Sequence, residues 1–196
     1  MPPPNLAASL VAGFLTIQLA LLTGASRAAE ESDPLAELAR PGRLLLLRHA
    51  NAPGIGDPAG FTLSDWRSQR NLDALGRAQA ARLGVRLRSA GVARAAIYSS
   101  QWCRCIETAQ LLGLGEVTEL PALNSFFGQP HERGRRAAML RGFLAALPSN
   151  GPPVVLVTHQ VVITALTGGY AAASGGMLLR LNGTSAPRVL GEFGPD

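Results

Sequence analysis

Residues 43–50 read Arg43-Leu44-Leu45-Leu46-Leu47-Arg48-His49-Ala50. Four leucines in a row, entered from Gly42, fit a short strand buried on both faces, as in a parallel sheet. The run closes on Arg48-His49, which puts a polar pair at the carboxyl end of the strand. The same pattern recurs along the chain. Ala95 to Tyr98 is a second short strand, with Ser99-Ser100 as N-cap hydroxyls for a helix over about 101–112 that Gly113 and Gly115 close. Val154 to Val157 is the clearest strand and leads through Thr158-His159 into an apolar helix over about 161–166.

Two amphipathic helices complete the alternation. Residues 73–90 carry Leu75, Ala78, Leu83, Val85, Leu87 and Ala90 at roughly helical spacing among arginines, up to Gly91, and residues 132–147 repeat the pattern with Ala137, Leu140, Phe143, Leu144 and Leu147. Met177 to Leu181 and Arg188 to Phe193, either side of Asn182-Gly183, form a terminal hairpin or edge pair. Strands alternating with helices predict an α/β fold, a three-layer sandwich with a mainly parallel central sheet, whose ligands lie outside the carboxyl ends of the strands. Residues 51–72, rich in Gly, Pro, Asp and Asn, read as a long structured loop of the kind that carries function.

The whole chain sets the bounds. A length of 196 residues and a hydrophobic fraction of 47% suit one domain with a single core. All 18 basic residues are arginine, and they are spread from Arg27 to Arg188 with no dense run. The net charge of +5 therefore signals a mild bias toward anionic substrates and no nucleic-acid partner. Residues 1–28 have the layout of a secretory signal: a short polar start, an apolar run from Leu6 to Leu22, and small residues with Ser26 and Ala28 placed for cleavage after Ala28. No arginine precedes the apolar run, so an uncleaved membrane anchor stays open as the alternative. Residues 29–42 are expected as a flexible N-terminal segment and 43–196 as the domain. Cys103 and Cys105, two positions apart on a helix, point to different faces and are expected as free, packed thiols.

Three polar clusters fall at strand ends: Arg48-His49, Ser99 to Arg104, and Thr158-His159. Brought together they make a cationic pocket in which arginine forks bind phosphate oxygens in pairs. Guanidinium groups beside an imidazole disfavour its protonated form, which keeps a histidine nucleophilic. Such a histidine can take a phosphoryl group covalently, splitting hydrolysis into two steps with no metal or cofactor. The alternatives are a non-catalytic anion-binding module with the same pocket, and a metal protein using His49, His131 and His159. For the latter no Asp or Cys completes a ligand set.

The ordered set resembles the histidine phosphatase superfamily, the phosphoglycerate-mutase-like fold. Leu44 to Ala50 resembles its signature strand; Arg70-Asn71-Leu72 with Gly76 and Gln79-Ala80 resembles its next segment; Ser99-Ser100 with Arg104, Thr108 and Ala109, and Val157-Thr158-His159, resemble the later ones. The resemblance spans about residues 43–168. It implies a phosphomonoesterase with His49 as the nucleophile and with Arg48, Arg104 and His159 as phosphoryl ligands. It also exposes a departure. Where family members carry a Glu that protonates the leaving group, Asn124 stands before Gly128, and Asn is no acid. The family's other branch uses an Asp after the second histidine, where this chain has Gln160. Asp57 is the expected substitute donor and Glu132 the second choice. The expected substrate is a small phosphorylated compound or a phosphorylated envelope component, met in the periplasm or outside the cell. A membrane partner is expected only if the leader stays attached.

Overall fold

The structure, a computed structural model, describes residue 1 and residues 34–183 and 185–195. The chain divides into two compact units, 1–31 and 32–196. The first lies, apart from Met1, outside the described residues, and the expected leader and its cleavage point lie there with it.

Strand β1 (Arg43–Arg48) holds the centre of a six-stranded sheet with β2 (Ala96–Ser99), β3 (Val117–Glu119), β4 (Val154–Thr158), β5 (Gly176–Asn182) and β6 (Ser185–Phe193), in the order β3-β2-β4-β1-β5-β6. The first four in that order run parallel, while β5 pairs antiparallel with β1 and β6 antiparallel with β5. The sheet is thus mainly parallel with an antiparallel edge made by the expected hairpin. The uninterrupted leucines of β1 have a simple cause. Leu45 and Leu47 pack into the core that includes Leu83, Leu87, Cys105 and Leu112, and Leu44 and Leu46 into the core that includes Leu140, Leu144, Val162 and Ile163. Both faces of the strand are covered, and all four leucines are fully buried. The covering helices are α1 (Ala74–Ser89) and α2 (Cys103–Leu112) in the first core, α3 (Arg133–Ala146) and α4 (Gln160–Thr167) in the second.

Register levels the functional ends. Arg48 pairs with Thr158 across β1 and β4, and Ser99 with Val157 across β2 and β4. The ladders run one residue further, His49 N–H donating to Thr158 O at 3.0 Å and Ser100 N–H to Val157 O at 2.9 Å. His49, Ser100 and His159 therefore leave the sheet side by side.

The structure departs from the sequence reading in several places. The segment before Gly42, expected to be flexible, joins the fold from Pro34 onward: Pro34–Ala39 is a 3-10 helix whose Leu35 and Leu38 are buried in the core. Helix α2 begins later than expected, with Trp102 as N-cap and no side-chain cap. The Ser100 hydroxyl is drawn away to His159, and Ser99 Oγ donates to Ser100 O at 2.8 Å. The short strand β3 was not expected, since three residues show no period. The two thiols are free, and burial pushes that of Cys105 up to about 12.

The loop after β1 is pinned to α1. Asp73 caps that helix by accepting from Gly76 N–H at 2.7 Å and holds the Asn51 amide at 2.8 Å. The approach is so close that a Cβ on Gly76 would fall 2.1 Å from Asn51 O.

Candidate active site

At the carboxyl ends of the parallel strands a cleft of about 750 Å³ opens, lined at its base by Arg48, His49, Asp57, Arg70, Arg104 and His159. The topology thus brings together the three distant clusters. His131 is exposed in the short 3-10 helix Pro130–Glu132 and does not line the cleft. Glu132, the second-choice donor, does not line it either and pairs with Arg135 and Arg136.

His49 is buried, with its Nδ1 2.8 Å from Ala50 O. A carbonyl oxygen only accepts, so Nδ1 carries the proton and the lone pair stands on Nε2. Burial first, then the charge of Arg104, lowers this histidine to about 3; the bond to Ala50 pulls the other way, and Arg48 and Arg70 add to the fall. The ring is neutral at neutral pH. His159, N-cap of α4, lies 5.4 Å from it between ring centroids. Its Nε2 is 2.8 Å from Ser100 Oγ, which also reaches Asn124 Oδ1 at 3.3 Å. Burial and the charges of His49 and Arg104 hold His159 well below the usual histidine range.

The cations are fixed by carbonyls and one carboxylate. Arg48 Nη1 donates to Ala171 O at 2.9 Å and to Tyr170 Oη at 3.4 Å. Arg104 donates from Nη1 and Nη2 to the two oxygens of Asp57 at 2.7 and 3.1 Å. Arg70 donates to Gly56 O at 2.7 Å and to Ala52 O. The Nε–H groups of Arg48 and Arg104 are buried with no acceptor among the described residues. Buried donors are rarely left so, and an oxygen acceptor, such as that of a bound anion, would satisfy them. Arg70 was missed as a site residue because its place depends on the path of a long loop, although it opens the Arg70-Asn71-Leu72 segment.

Asp57 requires a correction. Burial raises its carboxyl, but the hydrogen bonds and charge of Arg104, with those from Arg70 N–H and Trp102 Nε1, hold it below the usual carboxylate range. In this arrangement it is ionised at neutral pH and holds no proton for a leaving group. Asn124 is buried, its amide spent on Gln101 Oε1 at 2.8 Å and its oxygen on Gln101 N–H at 2.9 Å.

The model of the histidine phosphatase superfamily, branch 1, matches residues 44–132, which hold His49, Arg70 and Arg104. His159 lies beyond the matched stretch and is brought to the site by β4. Solved structures share the fold. A mycobacterial hydrolase has 20% identity and a TM-score of 0.61 over 80% of this chain and 100% of its own. A mycobacterial glucosyl-3-phosphoglycerate phosphatase complexed with VO3 has 21% identity and a TM-score of 0.55, over 75% and 96%. The protein histidine phosphatase SixA, complexed with tungstate, has 16% identity and a TM-score of 0.54, over 78% and 96%. No curated protein matches the chain.

Proposed function

We propose that the protein is a phosphomonoesterase that works through a phosphohistidine on His49. The observation that carries this reading is the bond from His49 Nδ1 to Ala50 O, which leaves a neutral Nε2 as nucleophile among three arginines. Nε2 attacks phosphorus as the bond to the ester oxygen breaks, and its electron pair leaves with that oxygen. The guanidinium groups of Arg48, Arg70 and Arg104 meet the charge on the phosphoryl oxygens, a role that preorganised donors fill well. Water then attacks phosphorus, the P–N bond breaks, and inorganic phosphate departs. The pattern of residues 1–28 supports export, to the periplasm or beyond, which makes a phosphorylated envelope component an available substrate.

Purified protein is expected to release phosphate from p-nitrophenyl phosphate, and His49→Ala to abolish that release. Phosphate release unchanged in His49→Ala would refute the reading. Asn124, in the place of an acid, favours a second one, an anion-binding module without turnover. Tight vanadate binding with no phosphate release from any ester would support it.

A further inference from the structure

Resting on the phosphatase reading, we infer that the cleft takes an aryl phosphomonoester, the phosphoryl group on the arginines and the ring between apolar lips. Two independent features converge on this class.

The first is the mouth of the cleft. Ile55 is 90% exposed, Phe127 62% and Tyr170 66%, and with Leu63 they line the opening. They account for four of the eleven exposed large apolar side chains among the described residues, a concentration that marks a binding surface rather than scatter. The lips meet: a Cβ on Gly56 would lie 3.6 Å from Phe127 Cε1. Below them a wall of rings descends to the nucleophile, Phe61 to Trp102 at 5.8 Å between centroids, Trp102 to His159 at 5.2 Å, and His159 to His49 at 5.4 Å. Edge and tilted contacts of this kind suit an added ring. Some polar side chains at the opening are committed to the protein itself. Gln160 spends Nε2 on Thr164 Oγ1 and Gly169 O and its oxygen on Ala171 N–H, while Arg136 holds Pro121 O and Glu132.

The second feature is the leaving group. With Asn124 in the acid's place and Asp57 ionised against Arg104, the ester oxygen must leave without a proton from a side chain. A phenol oxygen, with a pKa of about 10, leaves as the anion far more readily than an alkyl oxygen, whose pKa is nearer that of water at about 15.7. The cleft therefore selects by contact the same class that its chemistry can release.

The test compares kcat/KM of the full chain for phenyl phosphate, 1-naphthyl phosphate, glycerol 3-phosphate and glucose 6-phosphate, with acetyl phosphate as a small substrate that also leaves easily. Naphthyl phosphate is expected to exceed phenyl phosphate, and both to exceed the alkyl and sugar esters by at least ~100-fold. In the double variant Ile55→Ser with Phe127→Ser, the ratio of naphthyl to acetyl phosphate is expected to fall about 10-fold. An alkyl or sugar ester turned over as fast as the aryl esters, or a ratio unchanged in the double variant, would overturn the inference alone. No turnover of any substrate, acetyl phosphate included, would overturn the phosphatase reading and this inference with it.

Discussion

Arg104 and Asp57 close a two-armed ion pair at the base of the cleft, both of Asp57's oxygens lying on the guanidinium that a phosphoryl group would use. The side chains are 3% and 8% exposed, so the pair is poorly screened. Asp57 is at once the tie that holds the loop down and a like charge beside any bound anion. Asp57→Asn is therefore expected to tighten vanadate inhibition about 10-fold by removing that charge. It is also expected to destabilise the fold by about 2 kcal/mol through weaker hydrogen bonds. Because the carboxyl is held below its ordinary 3.8, its contribution is present above that value and lost as the pH falls through the lower folded value. The stability gap between wild type and variant should thus narrow in strong acid, as denaturation at pH 7 and near pH 3 would reveal.

The buried neutral histidines also lose stability in acid, from a higher pH downward. An unfolded histidine takes a proton below about 6.5, whereas folded His49 does so only near 3. Stability is therefore full above about pH 6.5 and falls as the pH drops, by up to about 1.4 kcal/mol per pH unit for His49, with His159 adding in the same direction. Urea unfolding at pH 7 and pH 5 measures this. In NMR spectra the His49 ring carbons should hold the neutral position down to about pH 4.5, and a midpoint near 6.5 would contradict the burial described.

Gly76→Ala tests how α1 positions the loop that follows His49. The new Cβ would meet a backbone oxygen at 2.1 Å rather than a yielding side chain. A loss of about 2 kcal/mol or more is expected, against the gain that Gly to Ala gives in an open helix. Thermal melting of the variant decides between the two signs.

Asn124→Asp puts a carboxyl of the same size beside Ser100 and Gln101. If the missing acid limits the reaction, this variant should raise kcat/KM for alkyl phosphates about 10-fold or more at mildly acid pH, with less effect on aryl esters. Equal change for both classes would argue that Asn124 does not face the leaving oxygen.

The two-sided burial of β1 was legible because four leucines can lie side by side only where both faces are covered. The strand ends of His49 and His159 were legible for the same reason, each following an apolar run. What the sequence did not disclose depends on loop paths. Nothing in residues 51–72 says that Asp57 turns back onto Arg104, or that Arg70 reaches the same cleft. Ser100 reads as a helix cap by local rules, yet its hydroxyl goes to His159, 59 positions away. Leu35 and Leu38 look like part of a linker until the core they fill is seen.

The central claim is that His49 carries the phosphoryl group, and rapid-quench labelling with a ³²P-labelled aryl phosphate tests it most directly. Acid-labile, alkali-stable label is expected on the peptide containing His49, forming before steady-state phosphate release and absent from His49→Ala. Turnover with no label at that peptide, or equal label in His49→Ala, would contradict it.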